Sequence, residues 1–344
     1  MDRVRVAILG SGVIARYHAR ACRAAPNVEL LAAANWRPES LARFAQEWSI
    51  ACTTTDFQEI ADDPGVDAVI ICLPNSLHQA ETERMLRAGK HVLVEKPMAM
   101  NAAQAQEMVR AAEEAKRFLM VGHMWRFDVE VNWLQRAIAA GVMGDIVKTK
   151  GYAIHPAGTG PMGWFVEKEK AGGGVVMDMG IHAVDTARFL LGEPLPVKVY
   201  AHIGTRYSAY DVEDEAAFVV HWDNGAYSLI ETAGWQPFAE APEGAAQVWG
   251  TQGYGRTFPT QLHLSIAGAA GIFAPTFPQR IEQCDWPMYA RQVEHFADCI
   301  REGRQPKPGG AEGLLMMRVM DAVYESARSG QAVILGGPGG EPVS

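Results

Sequence analysis

The sequence predicts an α/β fold in which a doubly wound parallel sheet is followed by a second domain built on a mostly antiparallel sheet. From Arg3 to Gly122, short apolar runs alternate with segments of helical spacing, which is typical of a parallel sheet covered by helices on both faces. After His123, longer segments alternate apolar with polar residues, and the turn Asp223–Gly225 is typical of a hairpin. Because 344 residues exceed what one hydrophobic core normally serves, two domains are expected.

The first half, residues 1–122, is expected to form one doubly wound domain of buried strands and connecting helices. The strands are predicted at Val4–Leu9, Leu30–Ala34, Ala68–Leu73, His91–Val94 and Phe118–Val121. The helices are predicted at Ala15–Ala24, Pro38–Trp48, Ser76–Ala88 and Ala102–Lys116.

The second half, residues 123–335, combines helices with strands of period-two alternation. A helix is predicted at Val129–Ala140, and strands are predicted at Ile146–Ala153, Val197–Arg206, Glu215–Trp222, Ala226–Thr232 and Leu262–Ala267. Two later helices, Met288–Arg301 and Ala311–Arg328, are expected to cover this antiparallel sheet. The glycine- and proline-rich residues 336–344 are expected to form a flexible tail.

The composition indicates an ordinary globular protein with a small-molecule ligand. Hydrophobic residues make up 48% of the chain and charged residues 21%. A formal net charge of -9 disfavours nucleic acid as a partner, since binding phosphates requires a basic face. No apolar run is long enough to span a membrane, and the chain enters a strand pattern without the features of a signal peptide. The 5 cysteines are odd in number and scattered, which favours a reduced cytoplasmic location.

A glycine-rich turn follows the first predicted strand and opens a helix. Its pattern, G-x-G-x-x-G/A, comprises Gly10, Gly12, Val13, Ile14 and Ala15. The two glycines allow a tight turn and a close backbone approach, while Ala15 lets the helix pack closely on the strand. A pyrophosphate can then bind at the N-terminus of the helix. Because strand, turn and helix occur in the required order, the sequence predicts a dinucleotide-binding site.

The residues that follow the second predicted strand bear on which dinucleotide binds. An NAD-binding chain normally has a carboxylate there, whereas this chain has Asn35, Trp36 and Arg37. Arg37 can pair with a 2′-phosphate that no acidic residue repels, and Trp36 can lie over the adenine or fill a surface groove. Asn35 can instead hydrogen-bond a ribose hydroxyl, which keeps NAD(H) as an alternative. The sequence favours NADP(H).

Three further motifs carry polar groups to the expected site. They comprise Leu73, Pro74, Asn75 and His78 after the third strand, Glu95 and Lys96 after the fourth, and Asp178 and His182 in the second half. Ligands of open α/β sheets bind at the carboxyl ends of the strands, where the first two motifs fall. Asp178 and His182 are four residues apart at the start of an apolar helix, so they are expected to share one helix face.

These residue types fit the oxidation of a hydroxyl-bearing carbon. Removing hydride from such a carbon requires its hydroxyl to lose a proton, and an imidazole, with an ordinary pKa of about 6.5, accepts a proton near neutrality. We assign this role to His182, and we expect Lys96 to stabilise the developing alkoxide charge. Asp178 can orient His182 or hold a neighbouring substrate hydroxyl. Taken singly, Lys96 can also be a partner of Glu95, and His182 a histidine satisfied at a helix start.

In combination, the motifs resemble the glucose-fructose oxidoreductase, inositol dehydrogenase and MocA family over nearly the whole chain. They include Pro-Asn-x-x-His, Ala-Gly-Lys-His-Val-x-x-Glu-Lys-Pro and Gly-Gly-Gly-x-x-x-Asp-x-Gly-x-His. The resemblance implies a Rossmann domain joined to an α/β domain whose large open sheet often forms the subunit interface, and hence a homo-oligomer, a dimer or a tetramer. It also implies hydride transfer between a nicotinamide and a hydroxyl-bearing carbon of a sugar, cyclitol or related metabolite. By the same resemblance, Lys96 matches the family's active-site lysine, and Asp178 and His182 match the aspartate and the acid/base histidine of the inositol dehydrogenase branch.

Three residues are candidates for substrate contacts. Arg126 follows the last strand of the first half and can reach the nicotinamide or the substrate. His155 and Trp164 lie on a predicted loop beside the helix that carries His182. An aromatic ring in that loop can stack on a sugar face or fill a crevice of the protein.

Three other functions compete with net oxidation or reduction. A tightly bound NAD can serve a redox-neutral glycosidase or epimerase with the same catalytic residues. A nucleotide-binding regulatory protein would not need Lys96 together with Asp178 and His182. A metal-dependent hydrolase would use Asp178, His182 and His155 as ligands, although no metal is expected with the motifs above.

Overall fold

The computed structural model describes residues 3–156, 162–237, 243–278 and 286–336 of the chain. The chain forms two compact units. The first consists of Met1–Phe127 with Cys284–Met317, and the second consists of Asp128–Gln283 with Arg318–Ser344. Apart from Gly336, the predicted tail lies outside the described residues.

The first unit is built on a six-stranded parallel sheet. Its strands are β1 (Val4–Leu9), β2 (Val28–Ala34), β3 (Cys52–Thr54), β4 (Ala68–Ile71), β5 (His91–Glu95) and β6 (Leu119–Gly122). Its helices between these strands are α1 (Val13–Ala24), α2 (Pro38–Trp48), α3 (Phe57–Asp62), α4 (Asn75–Arg87) and α5 (Ala102–Ala115). The strand order β3-β2-β1-β4-β5-β6 is that of a dinucleotide-binding sheet, in which the order reverses between β1 and β4. A 3₁₀ turn at Met124–Phe127 follows β6.

The second unit is built on a nine-stranded sheet in the order β14-β13-β12-β11-β7-β10-β9-β8-β15. Its first elements are α6 (Val129–Ala139), β7 (Ile146–Pro156), α7 (Lys168–Ala171), α8 (Ile181–Leu190), β8 (Pro196–Gly204), β9 (Glu215–Trp222) and β10 (Tyr227–Gln236). The remaining strands are β11 (Glu243–Gly250), β12 (Gly253–Arg256), β13 (Gln261–Ile266), β14 (Ala269–Phe273) and β15 (Val333–Ile334). Strands β7 and β10 pair in parallel, and the other described pairs of this sheet are antiparallel. The predicted fold class is therefore confirmed.

The expectation that both late helices cover the antiparallel sheet is not met. Helix α9 (Trp286–Glu302) packs against α1, and its Met288, Val293 and Phe296 lie in the apolar core of the first unit. Helix α10 (Gly310–Ser329) passes from the first unit to the second after Met317, and its Ser326 accepts a hydrogen bond from the Ala201 amide of β8 at 2.9 Å. The expectation is wrong for α9, because an apolar stripe shows that a helix buries one face and does not identify the sheet that covers it.

Local patterns located most elements to within a few residues. The bounds of β1, α2 and β9 coincide with the predicted ones. The short elements β3, α3, α7 and β15 were not predicted, and neither were β11, β12 and β14 in the second sheet. Glycine and alanine are frequent in the last three strands, and these residues have low strand propensity.

Candidate active site

The glycine-rich turn between β1 and α1 is closed on one side and open on the other. Gly10 has φ +107°, and a side chain there would overlap the Cys72 carbonyl oxygen, so only glycine fits. Gly12 is the N-cap residue directly before α1, and a Cβ placed on it would have no atom of another described residue within 4 Å, apart from its chain neighbours. As a glycine, Gly12 offers no side-chain hydrogen bond to the start of α1, and Val13, the first residue of the helix, is 72% exposed. An open helix N-terminus with close backbone access fits a pyrophosphate group.

The other fingerprint residues join this turn to the core and to the end of β2. Ala15 is buried and Ile14 packs against the same core cluster, so α1 lies close to the sheet. Asn35, buried after β2, donates a hydrogen bond to the Ser11 hydroxyl at 2.5 Å. The Ser11 hydroxyl is also 2.7 Å from that of Ser40 in α2. This network holds the loop after β2 against the glycine-rich turn.

Trp36 and Arg37 lie on the exposed side of the loop after β2. The Trp36 side chain is 41% exposed, and its ring meets the Phe57 ring edge to face at a centroid distance of 6.2 Å. Arg37 is exposed at the start of α2, and no described residue forms an ion pair with its guanidinium. An unpaired guanidinium at this edge is available to an anionic group.

His78 joins the loops that follow β4 and β5. Its Nδ1 lies 2.8 Å from the Pro97 carbonyl oxygen, and its Nε2 lies 2.9 Å from the Leu73 carbonyl oxygen. Burial lowers the pKa of His78, while the hydrogen bonds to the two carbonyl groups act in the opposite direction. His78 is also a predicted cofactor contact. The structure places both ring nitrogens beside backbone carbonyls, so His78 links the loops that carry Pro74 and Lys96.

A buried carboxylate supports the backbone of Lys96. Glu95, the last residue of β5, accepts a hydrogen bond from the Lys96 amide at 3.1 Å. Its other carboxylate oxygen lies 2.7 Å from Nε2 of His18 in α1, and both side chains are buried. Gly122 leaves room for the carboxylate, because a Cβ there would lie 2.9 Å from Oε1 of Glu95. Sequence reasoning missed His18, since no local pattern links α1 to the end of β5.

The helix that carries His182 does not begin as a regular α-helix. Residues Val176–Gly180, which include Asp178, form a π-helical turn, and the amide of Ile181 donates to the Val176 carbonyl five residues earlier. The α-helix α8 starts only at Ile181, and His182 in its first turn is 4% exposed. The expected four-residue alignment on one regular helix face therefore requires correction. π-helical turns of this kind occur frequently at functional sites.

Small residues let the π-helical turn and α8 lie close to the second sheet. A Cβ on Gly151 of β7 would lie 3.1 Å from the Ala183 carbonyl oxygen, and a Cβ on Gly180 would lie 3.5 Å from the Thr232 side chain. Farther along α8, Leu190 packs in an apolar cluster with Leu134 of α6. The backbone around His182 is therefore held by tight packing against the second sheet, and the end of α8 is held by packing against α6.

The three candidate substrate residues occupy different kinds of structure. Arg126 is buried in the 3₁₀ turn after β6. His155 belongs to β7 and not to a loop, because this strand continues to Pro156. Trp164 lies in a 3₁₀ turn and stacks on Phe165 at a centroid distance of 3.9 Å. Residues 157–161 of the predicted loop lie outside the described residues.

Among the described residues, no group of three or more histidine, cysteine, aspartate or glutamate side chains is arranged to hold a metal ion. None of the helices described is both long and apolar enough to cross a membrane.

A parallel sheet whose strand order reverses, with an open glycine-rich turn at its first strand, is typical of a dinucleotide-binding domain. Together with the second sheet and the helix that carries His182, it indicates a two-domain oxidoreductase. Residues 4–123 match the oxidoreductase family with an NAD-binding Rossmann fold, and residues 131–256 match the GFO/IDH/MocA C-terminal domain. The chain belongs to the glucose-fructose oxidoreductase, inositol dehydrogenase and MocA family. It is accordingly a nicotinamide-dependent oxidoreductase that acts on CH–OH groups.

Similar proteins match over almost their full length. A D-glucoside 3-dehydrogenase of Escherichia coli is 30% identical over 96% of this chain and 97% of its own. A scyllo-inositol 2-dehydrogenase (NAD(+)) of Bacillus subtilis is 30% identical over 97% of this chain and 96% of its own. The crystal structure of an aldose-aldose oxidoreductase from Caulobacter crescentus, complexed with glycerol, is 31% identical, with a TM-score of 0.84 over 97% of this chain and 100% of that one.

Proposed function

We propose that this protein oxidises or reduces a carbon of a sugar, cyclitol or related polyhydroxylated metabolite. The observation that carries the proposal is the joint presence of Lys96 after β5 and of Asp178 with a buried His182 at the start of α8. A protein that only binds nucleotide has no need of this set. The names of the relatives, a D-glucoside 3-dehydrogenase and a scyllo-inositol 2-dehydrogenase, support a polyhydroxylated ring as the substrate.

The proposed roles follow from the chemistry of each side chain. His182 accepts the proton of the reacting hydroxyl in oxidation and returns it in reduction. Lys96 hydrogen-bonds the same oxygen and stabilises its negative charge. Asp178 orients His182 or binds a neighbouring hydroxyl of the substrate. Further substrate contacts are proposed for Arg126, His155 and Trp164.

The residues of the first unit fit a nicotinamide dinucleotide, which when bound supplies the group that exchanges hydride with the substrate. Gly10, Gly12, Val13, Ile14 and Ala15 are proposed to bind the pyrophosphate at the open start of α1. The remaining proposed cofactor contacts are Asn35, Trp36, Arg37, Leu73, Pro74, Asn75, His78, Glu95 and Lys96, and His78 also links the loops after β4 and β5.

NADP(H) is the proposed cofactor, in preference to NAD(H). The loop after β2 carries no carboxylate that would repel a 2′-phosphate, and the exposed guanidinium of Arg37 has no ion pair among the described residues. The neutral side-chain amide of Asn35 donates to the Ser11 hydroxyl. The cation of this loop that can bind a 2′-phosphate is therefore Arg37.

Initial rates with a panel of sugars, glucosides and cyclitols, each measured with NADP⁺ and with NAD⁺, test the function and the cofactor together. We expect at least one substrate to raise the absorbance of reduced nicotinamide, and we expect NADP⁺ to be the more effective cofactor. Arg37→Ala should weaken NADP(H) binding by about tenfold and change NAD(H) binding little, because it removes the partner of the 2′-phosphate.

Other outcomes of these measurements distinguish the alternatives. Product formation without an absorbance change would indicate a redox-neutral glycosidase or epimerase. Binding of nucleotide with no turnover on any substrate would favour a regulatory protein. If the apoprotein bound NAD(H) at least about tenfold more tightly than NADP(H), the proposed cofactor preference would be wrong.

A homo-oligomer, either a dimer or a tetramer, is proposed to form through the outer face of the second sheet. This face exposes Tyr200 of β8 and Leu229 of β10, which are 52% and 38% accessible, beside Tyr227. Exposed aromatic and aliphatic side chains on a broad sheet favour association with a like surface. Light scattering of the purified protein is expected to give a mass of two or four chains, and a monomer at all concentrations would contradict the proposal.

A further inference from the structure

Glu213 links the residues that precede the His182 helix to the β8–β9 loop and to α10. We define the catalytic segment as Gly172–Leu190, which contains the π-helical turn and α8. Glu213 lies between β8 and β9, and its Oε1 accepts hydrogen bonds from the Gly174 amide at 2.8 Å and the Val176 amide at 3.0 Å. The same oxygen accepts the hydroxyl of Tyr324 in α10 at 2.8 Å. One buried carboxylate oxygen therefore receives three donors.

The backbone of Glu213 supplies a further contact to the same segment. The Val175 amide donates to the Glu213 carbonyl oxygen at 3.1 Å. Three consecutive amides, those of Gly174, Val175 and Val176, are thus all bound by this single residue. The first amides of a helical segment have no partners within it, and a carboxylate is a favourable acceptor at that positive end.

The glycines of the motif are explained by the same contacts. A Cβ on Gly174 would overlap the Glu213 carbonyl oxygen, and a Cβ on Gly173 would overlap the Tyr324 hydroxyl oxygen. Neither position can carry a larger residue unless the contact is lost. The glycine run therefore serves the approach of Glu213 and Tyr324 to the catalytic segment.

The surroundings of Glu213 make the loss of its carboxylate costly. Burial raises the pKa of Glu213, and the hydrogen bonds from Gly174, Tyr324 and Val176 act in the opposite direction. Burial, with the nearby Glu213, also holds the pKa of Tyr324 well above its usual range, so its hydroxyl stays a donor. Removing the acceptor would leave buried donors without a partner, which is unfavourable.

We propose that Glu213, with Tyr324, is a positioning residue that holds the start of the catalytic segment and thereby the backbone that carries Asp178 and His182. The proposal rests on the proposed function, because the consequence for turnover requires these two residues to act in catalysis. Glu213 itself need not touch substrate or cofactor. A small displacement of an acid/base group can cost about a hundredfold in rate.

Substitutions at Glu213 separate positioning from simple stabilisation. Glu213→Ala is expected to lower kcat at least about tenfold while cofactor binding in the first unit is retained. Glu213→Gln keeps an oxygen that accepts the same hydrogen bonds, so kcat should stay within about threefold of the wild type. Tyr324→Phe removes one of three donors and should give a smaller loss than Glu213→Ala. Glu325→Gln removes an exposed carboxylate of α10 beside Tyr324 and is the matched control.

Hydrogen exchange followed by mass spectrometry tests the contact without any assay of activity. In the wild-type protein, the amides of the peptide that spans 173–182 should be protected. Glu213→Ala should accelerate their exchange at least about tenfold, Glu213→Gln should largely restore the protection, and Glu325→Gln should leave it unchanged. Should Glu213→Ala fail to fold, Glu213→Gln and Tyr324→Phe provide the same comparison.

The outcomes for the inference and for the proposed function can be told apart. If kcat per folded molecule is unchanged in Glu213→Ala and only the melting temperature falls, Glu213 has a structural role alone and the inference is overturned. Unchanged exchange in the same variant would also overturn it. Absence of turnover on every substrate of the panel would instead contradict the proposed function, and full activity of His182→Ala would refute the role proposed for His182, whatever the exchange of the segment shows.

Discussion

His182→Ala is expected to lower kcat by at least about a hundredfold while nucleotide binding changes little. His182 is buried in the first turn of α8, and in the proposed function it is the group that accepts the proton of the reacting hydroxyl. Without it, the hydroxyl must lose its proton to water.

The controls for this variant concern folding and the kind of residue removed. His263→Ala, which removes a histidine from β13, should leave kcat unchanged. His182→Tyr restores a group that can exchange a proton, and it should recover part of the lost activity at higher pH. Full retention of kcat in His182→Ala, with a normal melting temperature, would contradict the assigned role.

Lys96→Ala is the second variant with a large expected effect, again at least about a hundredfold in kcat. Lys96 follows β5, where the buried Glu95 carboxylate binds its backbone amide at 3.1 Å. Since Glu95 holds the backbone, replacing the side chain should leave the loop in place. The loss is expected because the cation that stabilises the alkoxide charge is removed.

Two control variants test whether the charge of the Lys96 side chain is what turnover requires. Lys96→Met keeps much of the side-chain length and should be as slow as Lys96→Ala, because charge and not volume is the proposed requirement. Lys116→Gln removes a lysine charge elsewhere in the first unit and should have no effect on kcat. A loss of cofactor affinity with unchanged kcat would show that Lys96 serves binding alone.

The cofactor half of the site could be predicted because its signals are local. The glycine pattern spans a few consecutive residues between β1 and α1, and the requirement for Gly10 arises from its own backbone angle and from one contact with Cys72. The alternation of strands and helices likewise follows from neighbouring residues, so the bounds of β1 and α2 could be inferred closely.

The supporting contacts could not be predicted in this way. His18 and Glu95 are 77 positions apart, and Glu213 and Tyr324 are 111 positions apart. None of these residues belongs to a short pattern that indicates its partner.

The amino-acid pattern alone was sufficient to establish the two-sheet α/β fold class and the family, together with the candidate groups Lys96, Asp178 and His182. Only the folded chain decided that α9 packs in the core of the first unit, that a π-helical turn precedes α8 and that Glu213 binds three consecutive amides. The physical reason is that secondary structure and motifs depend on residues close in the chain. Packing partners and buried hydrogen bonds depend on which distant segments meet when the chain folds.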